Sequence, residues 1–187
     1  MQQSYFGKQI LTEKEQLPQV KTLPNSNIIF PYYFVGDAAF PLRKNLLRPY
    51  PGRLLDRNKT IFNYRLSRAR RIIENAFGIL VTRFRILLTT INMAPENARK
   101  VVLASIALHN FIKKHDENGK YTPIKYTDWE DSNHNIQPGT WRSLISQPLR
   151  SIRMGSNNAA RAAYELRDIM RNYFINEGAV SFQFDRF

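Results

Sequence analysis

Residues 31–42 read PYYFVGDAAFPL: an aromatic and β-branched run opened by a proline, closed by Gly36 and followed at once by a lone acid, Asp37. Apolar residues on both parities suit a short strand buried on both faces, and proline at the first position fits a strand start. In open α/β sheets, reactive groups collect just beyond the carboxyl ends of strands, and Asp37 occupies such a position. The next stretch, PLRKNLLRPYPGR over residues 41–53, brackets RKNLLR with Pro41, Pro49, Pro51 and Gly52. That allows at most a turn or two of helix and reads as a shaped loop.

An acid stands out here because the chain is basic, with 28 Lys and Arg against 15 Asp and Glu and a net charge of +13. Most of the excess lies between Arg43 and Arg85, where twelve basic residues accompany only Asp56 and Glu74. Arginine dominates, and its planar fork suits bidentate contact with phosphate. Two acids cannot pair twelve cations, so nucleic acid is the favoured partner. Arg43, Lys44, Arg48, Arg53, Arg65, Arg68, Arg70 and Arg71 are the candidate contacts.

Upstream, residues 1–30 hold short apolar pieces broken by Pro18 and Pro24, a loop-rich lead-in with at most one short helix. Downstream, Leu66, Ile73, Phe77, Leu80, Phe84 and Leu87 recur at the spacing of a long amphipathic helix over Asn63–Leu88. Glu74 lies at the edge of that stripe, beside the arginine flank. Gly78, one turn later, costs about 1 kcal/mol relative to alanine inside a helix, which points to a close approach by some neighbour. A second helix is expected over residues 94–115, with Pro95 and Glu96 in its first turn and Lys113, Lys114 and His115 at its end. Its face of Ala98, Val101, Val102, Ser105, Leu108, His109 and Ile112 makes His109 a hydrogen-bonded core histidine rather than a ligand. Residues 117–140 read as a polar loop, in which the acids Asp128, Glu130 and Asp131 cluster without a calcium-loop spacing. A last helix is expected over Asn157–Asn176, capped by Ser156, striped by Ala163, Leu166, Met170 and Tyr173, and stopped by Gly178.

The lack of cysteine excludes a disulfide framework, a cysteine-ligated zinc site and a thiol nucleophile, so any chemistry rests on carboxylates and histidines. The start MQQSYFGKQILTEKEQ has no apolar core of signal-peptide length, and no uncharged stretch of about 18 residues could span a bilayer. The chain reads as soluble and intracellular, with no membrane partner.

Three segments carry a more specific signal. VGDAAFPLRKNLLRPYPGR (35–53), IFNYRLSRARRIIENAFGIL (61–80) and VVLASIALHNF (101–111) resemble the C-terminal half of the DDE nuclease domain of PIF/Harbinger-type transposases and their domesticated nuclease relatives. The similarity is dense from about Tyr32 to Phe111 and looser through PGTWR (138–142) and NYFINEGAV (172–180). It implies an α/β, partial RNase H-like domain lacking its N-terminal strands, dominated by helices. Residues 1–115 would be the C-terminal part of the endonuclease domain, and residues 116–187 a polar loop followed by a helical C-terminal extension.

By the same resemblance, Asp37 in GDAAFPL is the second catalytic carboxylate and Glu74 in RRIIENAFG the third, both ligands of a divalent metal, Mg²⁺ or Mn²⁺. Such ions take hard oxygen donors, and a pair about 3.5–4 Å apart activates the attacking water and stabilises the leaving oxygen of a phosphodiester. The first aspartate of the family would lie upstream, and this chain is expected to begin after it; Glu13 and Glu15 are poor substitutes. The resemblance therefore implies a nuclease whose cleavage of DNA is impaired in this chain alone. Two other outcomes stay open: a non-catalytic basic DNA-binding or protein-interaction module derived from a transposase, or a site completed by strands from another polypeptide. It also implies action in the nucleus, with the cytoplasm not excluded, a separate Myb-like DNA-binding partner, and room for a homo-oligomer.

Overall fold

The computed structural model describes residues 5–12, 17–145 and 159–184. Helix α1 (Tyr5–Thr12) is followed by a hairpin of β1 (Lys21–Thr22) and β2 (Ile29–Phe30), then by β3 (Phe34–Val35) and β4 (Leu46–Leu47). Helix α2 (Arg57–Arg83) runs into a 3₁₀ turn at Arg85–Leu88, and α3 (Pro95–Lys114) precedes a second hairpin, β5 (Trp129–Glu130) with β6 (Ile136–Gln137). A 3₁₀ turn at Thr140–Leu144, helix α4 (Arg161–Ile175) and a final turn at Ser181–Gln183 complete the order. The result is mixed helix with small sheets, compatible with an α/β domain. Packing divides the chain into two compact units, one of residues 1–70 with 150–187 and one of residues 71–149.

In the first unit, β3 and β4 pair in parallel, Phe34 opposite Leu46 and Val35 opposite Leu47. The strand read over residues 31–35 is thus shortened to two residues, half-buried rather than covered on both faces. RKNLLR contributes a strand, not a helical turn, because Leu46 and Leu47 are both buried and the carbonyls of Asn45 and Leu47 accept the backbone N–H groups of Phe34 and Gly36. The core gathers Phe30, Leu42, Leu47, Tyr50, Phe62, Leu66, Met170 and Tyr173. Burial of such aliphatic and aromatic side chains stabilises by about 1.5–3 kcal/mol each. The lead-in likewise holds a hairpin that its broken apolar pieces did not announce: Thr22 pairs with Ile29 and Lys21 with Phe30.

Helix α2 begins six residues earlier than its apolar spacing suggests. Asp56 caps it, its Oδ1 accepting the Lys59 backbone N–H at 2.8 Å, which satisfies one of the donors a helix start leaves orphaned. Within the first unit its buried residues are Ile61, Phe62 and Leu66. Within the second they are Ile79, Leu80 and Val81, while Ile73 and Phe77 of the expected stripe stay half-exposed. The α3 face is corrected in the same direction: of its predicted members Ser105 is buried, whereas Leu108 and Ile112 are exposed.

The second unit closes a smaller core around Ile79, Tyr126 and Trp141. It forms because residues 117–140 are not a plain loop. Asp131 Oδ1 accepts the backbone N–H groups of Asn133 and Asn135, turning the chain between β5 and β6. Helix α4 buries Ala163, Met170 and Tyr173 as its stripe predicts, together with Arg167. Ser156 and Asn157, the expected cap and start of that helix, lie outside the described residues, as do Glu13 and Glu15.

Candidate active site

Asp37 follows β3 directly and is held by its own turn. Its Oδ1 accepts the Ala39 backbone N–H at 2.8 Å, and its carbonyl accepts that of Phe40 at 3.2 Å. Arg48, buried after β4, secures the same turn by donating from Nη1 to the Phe40 carbonyl at 3.1 Å. The Asp37 carboxylate keeps 28% of its side chain exposed and lies 3.8 Å from Arg70 Nη2. A short polar side chain bonding two residues on is an Asx turn, a conformation that β3 and Gly36 leave room for.

Glu74 sits on α2 in the second unit, and its surroundings come from residues far along the chain. Arg142 Nη2 lies 3.6 Å from Glu74 Oε2. The same guanidinium donates through Nε to Asp128 Oδ1 at 2.8 Å and through Nη2 to Asp128 Oδ2. Asp128 also accepts the Gly139 backbone N–H at 2.8 Å, and its side chain is 2% exposed. Burial pushes its carboxyl up, but the hydrogen bonds from Arg142 and Gly139 outweigh that and hold it below the ordinary aspartate value.

Asn75, next to Glu74, ties this arrangement to the helix. Its Oδ1 accepts the Asp128 backbone N–H at 3.0 Å and the Trp141 indole N–H at 2.9 Å. The neighbour that Gly78 makes room for is Trp141, since a Cβ on Gly78 would lie 2.4 Å from the indole ring. Asp128 and Glu130, expected in a solvated loop, are instead engaged: Glu130 Oε1 accepts from Arg71 Nη2 at 2.7 Å. Trp141 and Arg142 were not singled out by the sequence, where PGTWR was the signal available, and Asp128 was read only as one of a cluster of loop acids.

The candidate DNA-contacting cations divide into two groups. Lys44 and Arg53 are exposed. The others turn toward the protein: Arg65 donates to the Gly178 carbonyl at 3.1 Å and to Gln183 Oε1 at 2.9 Å, Arg68 to the Tyr64 hydroxyl at 2.9 Å, and Arg71 to Glu130. Arg48 is spent on the Asp37 turn, Arg70 faces Asp37, and Arg43 bridges to Leu46 through its backbone. The count of acids within residues 43–85 left out carbonyls, aromatic faces and acids elsewhere in the chain. Arg65 stands over the Phe174 ring at 4.6 Å and Arg68 over Phe182 at 4.6 Å. His109 accords with its reading as a hydrogen-bonded histidine, Nδ1 lying 2.8 Å from the Tyr121 hydroxyl, with desolvation and then Lys113 holding its pKa below the usual value. An apolar cavity of about 310 Å³, lined by Phe30, Tyr32, Tyr33, Met170, Tyr173 and Phe174 among others, includes neither candidate carboxylate.

Known proteins supply the class. The family described as DDE superfamily endonuclease matches residues 7–110, a span that contains both Asp37 and Glu74. This chain belongs to the DDE superfamily endonuclease family, and the match fits the Harbinger-type domain its motifs resemble. It is 28% identical over 137 residues to a protein ALP1-like of Arabidopsis thaliana. That similarity covers 73% of this chain and 30% of the relative, so the chain spans well under half of the relative's length. No solved structure matches.

DDE superfamily endonucleases use divalent metals. The donor chemistry of Asp37 and Glu74 fits such ions, since both are carboxylates reachable from solvent. Among the described residues, no group of three or more His, Cys, Asp or Glu is placed to hold a metal ion. No helix among them is long and apolar enough to cross a membrane.

Proposed function

We propose that this chain is the nuclease part of a transposase-derived protein, acting by divalent-metal-dependent cleavage of DNA phosphodiesters, with Asp37 and Glu74 as metal ligands. The observation that carries the reading is that both acids fall in the matched family segment, in the motifs GDAAFPL and RRIIENAFG. When bound, a divalent metal lowers the pKa of a ligated water and neutralises charge on the phosphate.

The chain's own residues do the rest. Asp37 is presented by a turn that its carboxylate and Arg48 both fasten, so its oxygens need little reordering to meet an ion. Glu74 projects from a helix with 41% of its side chain exposed and its Oε2 3.6 Å from Arg142 Nη2, so its carboxylate is reachable by an ion from solvent. Exposed Lys44 and Arg53, with whichever of Arg43, Arg48, Arg65, Arg68, Arg70 and Arg71 reach the duplex, supply phosphate contacts. We extend the proposal to a partial RNase H-like fold, to residues 1–115 as part of the endonuclease domain with 116–187 as its extension, and to work in the nucleus beside a Myb-like DNA-binding protein. With Asp37 and Glu74 as its only ligands, a metal would be held weakly and nicking would be slow.

A second reading, a basic DNA-binding module without catalysis, is favoured by one observation: each candidate carboxylate has an arginine beside it, at 3.8 Å for Asp37 and 3.6 Å for Glu74, whose charge offsets its own. Mn²⁺-dependent nicking of supercoiled DNA separates the two. The nuclease reading expects slow nicking by the folded protein that Asp37→Ala and Glu74→Ala each abolish. Nicking unchanged in both variants overturns it, and DNA binding with no nicking at all supports the module.

A further inference from the structure

Arg142 is held more rigidly than a surface arginine needs to be. Its fork grips Asp128, an almost fully buried carboxylate, through two hydrogen bonds. Its guanidinium also lies over the Trp141 ring at 4.4 Å. Trp141 in turn is seated against Gly78 and hydrogen-bonded to Asn75, so the platform under Arg142 is built on the same helical turns that carry Glu74. Yet Arg142 keeps 42% of its side chain exposed, on a site where Glu74 is 41% exposed.

The charges leave work to be done. Asp128 balances the charge of Arg142, and Glu74, 3.6 Å from the same guanidinium, brings a second negative charge to it. A group that brings positive charge to Glu74 and negative charge to Arg142 would complete the set, and a metal-bound phosphate is such a group. Because Asp128 fixes the fork in advance, little rotamer freedom remains to be lost when Arg142 meets a ligand.

We propose that Arg142 binds a DNA phosphate beside Glu74, with Asp128 as the positioning residue that aims it; this rests on the reading of Glu74 as a metal ligand. Arg142 donates to a non-bridging phosphate oxygen while its other hydrogen bonds to Asp128 persist. Bare electrostatics and positioning then differ in sign. Removing the negative charge of Asp128 should tighten DNA binding if only net charge counts, and loosen it if Asp128 aims Arg142.

The test is duplex DNA binding by the folded protein in Ca²⁺, measured by fluorescence anisotropy over a range of salt. Arg142→Gln is expected to weaken binding roughly tenfold and to reduce the slope of log affinity against log salt by about one. Arg142→Lys should keep the slope while losing affinity severalfold, because it keeps the charge and loses the fork. Asp128→Asn should weaken binding although it removes an acid; if that variant does not fold, Arg142→Lys carries the test. Unchanged affinity and slope in Arg142→Gln, or tighter binding by folded Asp128→Asn, would overturn the proposal. A Mn²⁺ titration of Glu74→Gln keeps the two readings apart. Mn²⁺ binding that survives this change removes the metal reading and with it the inference. Mn²⁺ binding that is lost, with Arg142→Gln still binding DNA normally, removes the inference alone.

Discussion

Asp37 and Glu74, the two acids proposed as metal ligands, are positioned by opposite means. Asp37 is placed locally, by a turn of four residues and an arginine eleven positions on. Glu74 is placed by a regular helix whose neighbours, Asp128, Trp141 and Arg142, come from more than fifty residues downstream. The lesson is that the first carboxylate should tolerate damage elsewhere in its unit, whereas the second depends on the folding of a whole hairpin region.

The largest expected break in this comparison is Trp141→Ala. Removing a buried indole that fills the space over Gly78 should cost about 3–5 kcal/mol and take one of its two donors from Asn75 Oδ1, the atom that also holds the Asp128 backbone N–H. Hydrogen exchange should show protection lost in residues 71–145 with the Asp37 turn retained. Loss of protection at Ala39 and Phe40 as well would mean that the two surroundings are not independent.

Asp128→Asn comes next. Breaking its pair should cost about 1–3 kcal/mol at pH 7, less than a wholly buried pair because Arg142 stays partly solvated. Its folded pKa is depressed, so its stabilisation is present above the unfolded value near about 3.9 and lost as pH falls through the folded one. Urea unfolding of wild type and variant should therefore differ at pH 7 and converge in strong acid.

Arg48→Ala tests the other side. It strips a carbonyl partner from the Asp37 turn and should cost about 1–3 kcal/mol, with faster exchange of the Phe40 amide and no change around Glu74. The smallest effect belongs to His109, whose pKa is lowered chiefly by desolvation. Its contribution is present above about pH 6.5 and fades as pH falls through the folded value. Melting temperature should thus rise slightly from pH 5.5 to 7.5, and less so in His109→Gln.

Much of this was legible in the residues. The aromatic run before Gly36 and Asp37 indicated a strand end, the 3–4 spacing from Leu66 indicated α2, and Gly78 announced a close neighbour. What escaped was long-range. Leu46 and Leu47 form a strand because β3 pairs with them, and local proline spacing says nothing of that partner. The acids at 128 and 130 looked solvated because the cations that engage them, Arg142 and Arg71, are fourteen and fifty-nine positions away. The balance of charges within residues 43–85 was incomplete for a related reason: carbonyls and aromatic rings, which carry no formal charge, hold several of those side chains.

Mn²⁺ binding by the folded protein, followed by electron paramagnetic resonance for wild type, Asp37→Ala and Glu74→Ala, tests the central claim most directly. The account predicts weak binding by wild type that each substitution removes while the fold persists. Binding that is unchanged in both variants would contradict it, because the carboxylates of the GDAAFPL and RRIIENAFG motifs would then not be the metal's ligands.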